Sequence, residues 1–161
     1  MNLRFGSLLF STQAMALVLA FVLPSAIQAG PRTNFTADEE QVIYERWPTA
    51  IEMPSGMRYV VLKEGNGPRP RPRQRLKTLY EGSLLDGTVF DKKLDPADAF
   101  EFIIGANQVI EGWEEAFMDM RVGEKRILII PYALAYGLRG RPPDIPNRAT
   151  LIFTVELLSI E

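Results

Sequence analysis

The residues best equipped for chemistry fall in the run Gln108-Val109-Ile110-Glu111-Gly112-Trp113-Glu114-Glu115 and, further along, in Ala135-Tyr136-Gly137. At helical spacing Val109, Ile110, Trp113 and Phe117 share one stripe while Glu111, Glu114, Glu115 and Asp119 turn outward. The Trp113 indole therefore points at whatever this helix packs on. Taken alone it reads first as ordinary core, the usual fate of an apolar stripe, and only second as the base of a site. The chain has no histidine and no cysteine. That excludes Ser-His-Asp hydrolysis, thiol nucleophiles, CxxC redox chemistry and zinc held by His or Cys, and no disulfide can form. Any catalysis must run without imidazole or thiol, and no cofactor or metal is expected.

Strands must position that helix. Residues 57–63 (MRYVVLK) open a β-rich region that Gly65-Asn66-Gly67-Pro68 closes with turn chemistry. Residues 75–80 alternate, with Leu76, Thr78 and Tyr80 on one face, as a half-buried strand does. Asp86-Gly87 then makes a hairpin turn between Leu84-Leu85 and Thr88-Val89-Phe90. Residues 99–104 (AFEFII) form another strand, and Gly105-Ala106-Asn107 leads into a helix from Val109 that Arg121-Val122-Gly123 ends. Residues 124–130 and 150–160 supply two last strands. The fold class expected is α+β, an antiparallel sheet wrapped around one short helix, with an N-terminal helical extension. Residues 68–75 (PRPRPRQR) alternate proline with arginine and read as an extended, solvated loop of polyproline-II character.

At 161 residues and 47% apolar content the chain has room for one domain plus an extension. Its formal charge of −2 gives no general reason to expect a nucleic-acid partner. Residues 1–29 read as a signal peptide: Arg4, an apolar stretch over 14–23, then Pro24 and small residues, with cleavage preferred after Ala29. A signal anchor is the alternative, because residues 8–27 approach the roughly 20 residues a bilayer needs. Membrane contact is expected only through this segment. The protein is thus expected to be exported, to a periplasm first and to a thylakoid lumen or other secretory compartment as the alternative. In the extension, residues 30–56, Thr36 and Glu39 make a capping box for a helix over 37–47 that Pro48 stops. Residues 57–161 form the main domain.

That domain resembles the FKBP-type peptidyl-prolyl cis-trans isomerases through several separated motifs in one order. Leu79-Tyr80-Glu81-Gly82 is similar to the family's strand with a pocket tyrosine, Tyr80. Asp86-Gly87-Thr88-Val89-Phe90-Asp91 is similar to its DGxxFD segment, which implies Phe90 on the wall and Asp91 at the rim. Phe100 and Phe102 match an FxF strand whose first phenylalanine lines the pocket. By the same resemblance Val109 is wall, the Ile110 N–H is a donor to a substrate carbonyl and Trp113 is the floor. Tyr136 is the flap tyrosine whose hydroxyl reaches a second carbonyl, and Ile145 and Phe153 complete rim and wall.

The activity implied is rotation about X-Pro bonds in exported proteins. Resonance sets a barrier of about 18–20 kcal/mol on peptide rotation, and no covalent bond need break to cross it. An apolar cup disfavours the charge-separated planar form, and donors placed for the twisted carbonyl favour the transition state. Implied partners are proline-containing polypeptides and macrolide inhibitors of the tacrolimus and rapamycin type. The alternative is a non-catalytic peptide-binding or assembly factor with the same fold. The chain departs from the family at Pro96, where many members carry an arginine able to pair with the rim aspartate. That leaves Asp91 without this partner or dependent on Lys92 or Lys93. The flap, residues 138–146, is proline-rich and unusually cationic, which predicts a preference for acidic residues flanking the proline. The twelve residues between Tyr136 and Ala149 leave no room for an inserted domain in the flap.

Overall fold

The computed structural model describes residues 35–161; the signal-peptide reading of residues 1–29 lies outside the described residues. Seven strands form one antiparallel sheet: β1 (Ile51–Glu52), β2 (Arg58–Lys63), β3 (Arg75–Leu84), β4 (Val89–Lys93), β5 (Phe100–Ile103), β6 (Lys125–Ile130) and β7 (Leu151–Ile160). Their order is β1-β2-β6-β7-β3-β4, and β5 also pairs with β3. One edge of β3 is therefore shared, with β5 along Arg75–Thr78 and β4 along Tyr80–Ser83. A 3-10 turn at Pro96–Asp98 joins the two partners, capped by Asp95, whose carboxylate accepts from the Ala97 N–H at 2.9 Å. Pro96 opens that turn, where its missing N–H costs nothing.

Alternation sorts the side chains. Leu76, Thr78, Tyr80 and Gly82 of β3, Leu128 and Ile130 of β6, and Leu151, Phe153, Val155 and Leu157 of β7 are all buried. On this inner face lies helix α2 (Glu111–Asp119), which buries Gly112, Trp113, Ala116 and Phe117. Gly112 permits a close approach, since a Cβ there would sit 2.7 Å from Ile130 Cγ2. The helix starts later than its sequence periodicity suggests. Ile110 caps it with extended backbone (φ −62°, ψ 152°), so Val109 and Ile110 belong to the approach and not to a helical stripe. Nor is Glu114 simply outward: its carboxylate accepts from the Gly105 N–H at 2.6 Å and the Asn107 N–H at 3.0 Å, pinning the approach loop.

A second apolar cluster lies on the opposite face. Helix α1 (Ala37–Arg46) has the expected capping box and sets Ile43, with Phe35, against Ile129 of β6 and Ile152 of β7. Those two residues alternate with the inward-facing Leu128 and Phe153, which fixes the face. Arg58 ties α1 down by pairing with Glu40 at 2.7 Å, and Arg46 donates to the Leu85 carbonyl at 2.5 Å. Among the described residues no helix is long and apolar enough to cross a membrane.

Candidate functional site

Strand alternation delivers the aromatic residues to one place. Across the β3–β7 pairing Tyr80 stands opposite Val155 and Phe153 opposite Gly82, so Tyr80 and Phe153 are diagonal neighbours on one face, and Trp113 rises from α2 beneath them. The Trp113 ring meets Tyr80 at 5.1 Å and Phe153 at 5.2 Å, both edge-on, and Phe100 at 6.0 Å. Edge-to-face geometry suits the aromatic quadrupoles and holds the rings rigidly. Phe90 closes the wall edge-on to Phe153 at 5.6 Å. That closure depends on Gly82, where a Cβ would sit 2.6 Å from Phe153 and 2.8 Å from Phe90. The result is an aromatic cup of about 210 Å³.

Tyr80, Phe90, Phe100, Trp113 and Phe153 line the cup, together with Val109 and Ile110 from the approach to α2 and Tyr136 and Asp91 at its polar edge. Ile145 does not. It is 2% exposed and packs into the main core, while its backbone pairs with Arg141 through bonds of 2.8 and 3.0 Å. Its place is under the flap hairpin, because an apolar residue in a two-sided turn goes to whichever side excludes water. Two lining residues were absent from the expected set, Gln108 and Arg141. Gln108 accepts from the Ile103 N–H at 2.8 Å and so anchors the approach to β5. Arg141 reaches the cup only because the flap folds back, with its guanidinium 5.9 Å from the centre of the Tyr136 ring. The cationic flap was the available signal for it.

The polar groups divide into occupied and free. Asp91 stands opposite Gly82 in the β3–β4 register, a diagonal neighbour of Tyr80, and accepts from the Tyr80 hydroxyl at 2.7 Å. Its partner is therefore Tyr80 and neither Lys92 nor Lys93; Lys93 bonds Asp98 instead. Burial first, then the Asp91 carboxylate, push the Tyr80 phenol well above its ordinary range. The Tyr136 hydroxyl, placed to accept from the guanidinium, raises the pKa of Arg141. Among the described residues no acceptor takes the Ile110 N–H or the buried Trp113 Nε1–H. The unspent Ile110 N–H beside an apolar cup is a binding arrangement, since it can take a carbonyl oxygen, whereas the Trp113 Nε1–H is enclosed beneath the cup.

A family model described as FKBP-type peptidyl-prolyl cis-trans isomerase matches residues 67–158. The chain is 44% identical over 123 residues to FK506-binding protein 4 of Dictyostelium discoideum, covering 75% of this chain and 33% of that one. It is 51% identical over 85 residues to peptidyl-prolyl cis-trans isomerase FKBP15-2 of Arabidopsis thaliana, covering 53% and 52% respectively. Against human peptidyl-prolyl cis-trans isomerase FKBP2 the identity is 54% over 82 residues, 51% of this chain and 58% of that one. The chain thus spans from a third to somewhat over half of these relatives' lengths. Among solved structures, the crystal structure of AtFKBP13 superimposes with a TM-score of 0.65 at 32% identity, over 70% of this chain and 98% of that one.

Proposed function

The chain belongs to the family of FKBP-type peptidyl-prolyl cis-trans isomerases, and from that premise we propose that it accelerates rotation about X-Pro bonds in polypeptide substrates. The observation that carries the reading is the aromatic cup of about 210 Å³ with Trp113 beneath Tyr80 and Phe153 and the unspent Ile110 N–H at its edge. A pyrrolidine ring enters over the indole. The apolar walls withhold the water that favours the charge-separated planar amide, so twisting becomes easier against a barrier of about 18–20 kcal/mol. The Ile110 N–H and Tyr136 hydroxyl take the flanking carbonyls, holding the twisted geometry better than the planar one. Asp91 keeps the Tyr80 hydroxyl turned to the rim.

The alternative of a non-catalytic peptide binder drew on the missing arginine partner of Asp91. The Tyr80 hydroxyl supplies a partner, which removes that motive. A macrolide of the tacrolimus or rapamycin type is proposed as a ligand of the same cup. Export forms part of the proposal, through residues 1–29 read as a signal peptide. The destination is a periplasm or, on an equal footing given that the relatives named above are eukaryotic, a thylakoid lumen or another secretory compartment.

A protease-coupled assay on an X-Pro peptide tests the activity. Turnover should exceed the uncatalysed rate, fall in Tyr80→Ala and Asp91→Val, and be blocked by the macrolide. A folded protein that binds the macrolide yet leaves the X-Pro rate unchanged would sink the isomerase reading.

A further inference from the structure

The PRPRPRQR segment is the exposed loop its composition suggests, with Pro70 alone buried, but it is held in place. It is pinned along its length: Gly67 N–H to the Val122 carbonyl and Val122 N–H to the Pro68 carbonyl, each at 3.1 Å, and Arg73 N–H to the Ile104 carbonyl at 2.8 Å. The Arg71 N–H donates to Gln74 Oε1 at 2.7 Å, closing a turn in which Arg73 has φ +75°. Pro70 is buried beneath it. Alternating prolines fix φ at every second residue, so the arginines between them are presented from a stiff backbone.

This segment forms one wall of a second recess, larger than the aromatic cup at about 570 Å³ and sharing no residue with it. Its apolar lining is Pro68, Pro70 and Ile160, of which Pro70 is buried, and its charged lining is Arg69, Arg71 and Arg121. Arg69 is paired with Asp119 at 3.4 Å, and Arg121 donates to the Gly67 carbonyl at 3.2 Å. Among the described residues neither Arg71, Arg73 nor Arg121 has a carboxylate within ion-pair distance, although the chain as a whole is acidic. No carboxylate lines the recess.

We propose that this recess is a second polypeptide-binding site, which takes an extended acidic segment with its carboxylates on Arg71 and Arg121 and its aliphatic parts on Pro68, Pro70 and Ile160. A recess with an apolar part to its lining favours a peptide over a bilayer surface, which a protruding cationic patch would suit better. The pinned backbone fixes where the arginines leave the chain, and their guanidiniums can meet carboxylates in fork geometry. The site needs no proline in its ligand and is independent of turnover in the aromatic cup. Where a client carries both an acidic stretch and a proline, the two sites act on one chain and raise the effective concentration of the second encounter.

The test uses a fluorescein-labelled ten-residue Glu/Ser peptide without proline, titrated by anisotropy at low salt. Arg71→Glu with Arg121→Glu should weaken binding about tenfold or more, whereas the paired lysine variant should retain most of it. Both should turn over a neutral X-Pro peptide as the unaltered protein does, which also reports that they fold. Amide shift mapping on the unaltered protein should place the peptide on Arg71, Gln74, Arg121 and Ile160. The proposal is overturned by equal affinity in the charge-reversed protein, by shifts elsewhere, or by equal binding of a Gln/Ser peptide. Tighter binding of RNA or of phosphatidylglycerol vesicles than of the acidic peptide also overturns it, since the occupant is then of another class.

Discussion

The bond between the Tyr80 hydroxyl and Asp91 at 2.7 Å is the polar contact on which the rim of the cup depends, and it can be isolated. Tyr80→Phe removes only the hydroxyl and leaves the ring contacts to Trp113 and Phe100 at 5.1 and 5.7 Å. Asp91→Asn keeps the shape and replaces a charged acceptor with a neutral one. A hydrogen bond to a charged group contributes about 1.5–3 kcal/mol, and because Asp91 is exposed at the sheet edge the lower value, about 1.5 kcal/mol, applies. A double-mutant cycle of unfolding free energies should therefore show a coupling of about 1 kcal/mol, the amide retaining part of the bond.

The pH dependence has a definite sign. Burial and then the carboxylate raise the folded-state pKa of the phenol, so the protonated form is the one the fold holds. Its contribution is fully present below the ordinary tyrosine value near 10 and is lost as pH rises through the raised folded value. Urea unfolding followed by tryptophan fluorescence should show the unaltered protein losing its advantage over Tyr80→Phe at strongly alkaline pH and keeping it at pH 7. A coupling below about 0.3 kcal/mol, the scatter expected of independent sites, would refute the reasoning. So would a difference between the two proteins that stays constant through the alkaline range.

Gly82→Ala should push Phe153 and Phe90 apart, costing about 1–3 kcal/mol by overpacking and lowering turnover of X-Pro peptides; urea midpoints and the coupled assay read the two effects. Peptides with Glu on both sides of the X-Pro pair should be turned over up to about fivefold faster than neutral ones at low salt, as an exposed charge pair of about 0.2–1 kcal/mol allows. Arg141→Ala should abolish that preference, read as the ratio of the rates on Glu-flanked and neutral peptides because Arg141 also lines the cup, and a ratio that survives the substitution would move its source elsewhere. Ile43→Ala should cost about 2–4 kcal/mol by opening the cluster under α1, lowering the urea midpoint, yet leave kcat/KM unchanged where the protein is folded, because α1 lies on the face away from the cup.

Alternation and turn chemistry made most of the sheet readable from the chain itself. Leu76, Thr78 and Tyr80 fall on one face of β3 as their spacing requires, and the Thr36–Glu39 box starts α1 where it should. Most of the aromatic cup was legible through motif order. The failures share a cause. Val109 and Ile110 keep helical spacing with Trp113, but spacing cannot tell the first helical residue from the extended pair before it, and no Ser, Thr or Asp marks the boundary. Ile145 and Arg141 lie in one short hairpin, and only its folding decides that the isoleucine goes under and the arginine goes over the cup. The partner of Asp91 is eleven residues away along the chain and adjacent across the sheet, a relation fixed by the β3–β4 register and invisible to neighbours in sequence such as Lys92.

Helix α1 covers the sheet face that turns away from the cup, with Phe35 seated in the same cluster. A label or surface linkage made through the exposed Tyr44 of α1 is therefore attached on the sheet face opposite the aromatic cup, and a ligand can reach the cup without meeting the attachment.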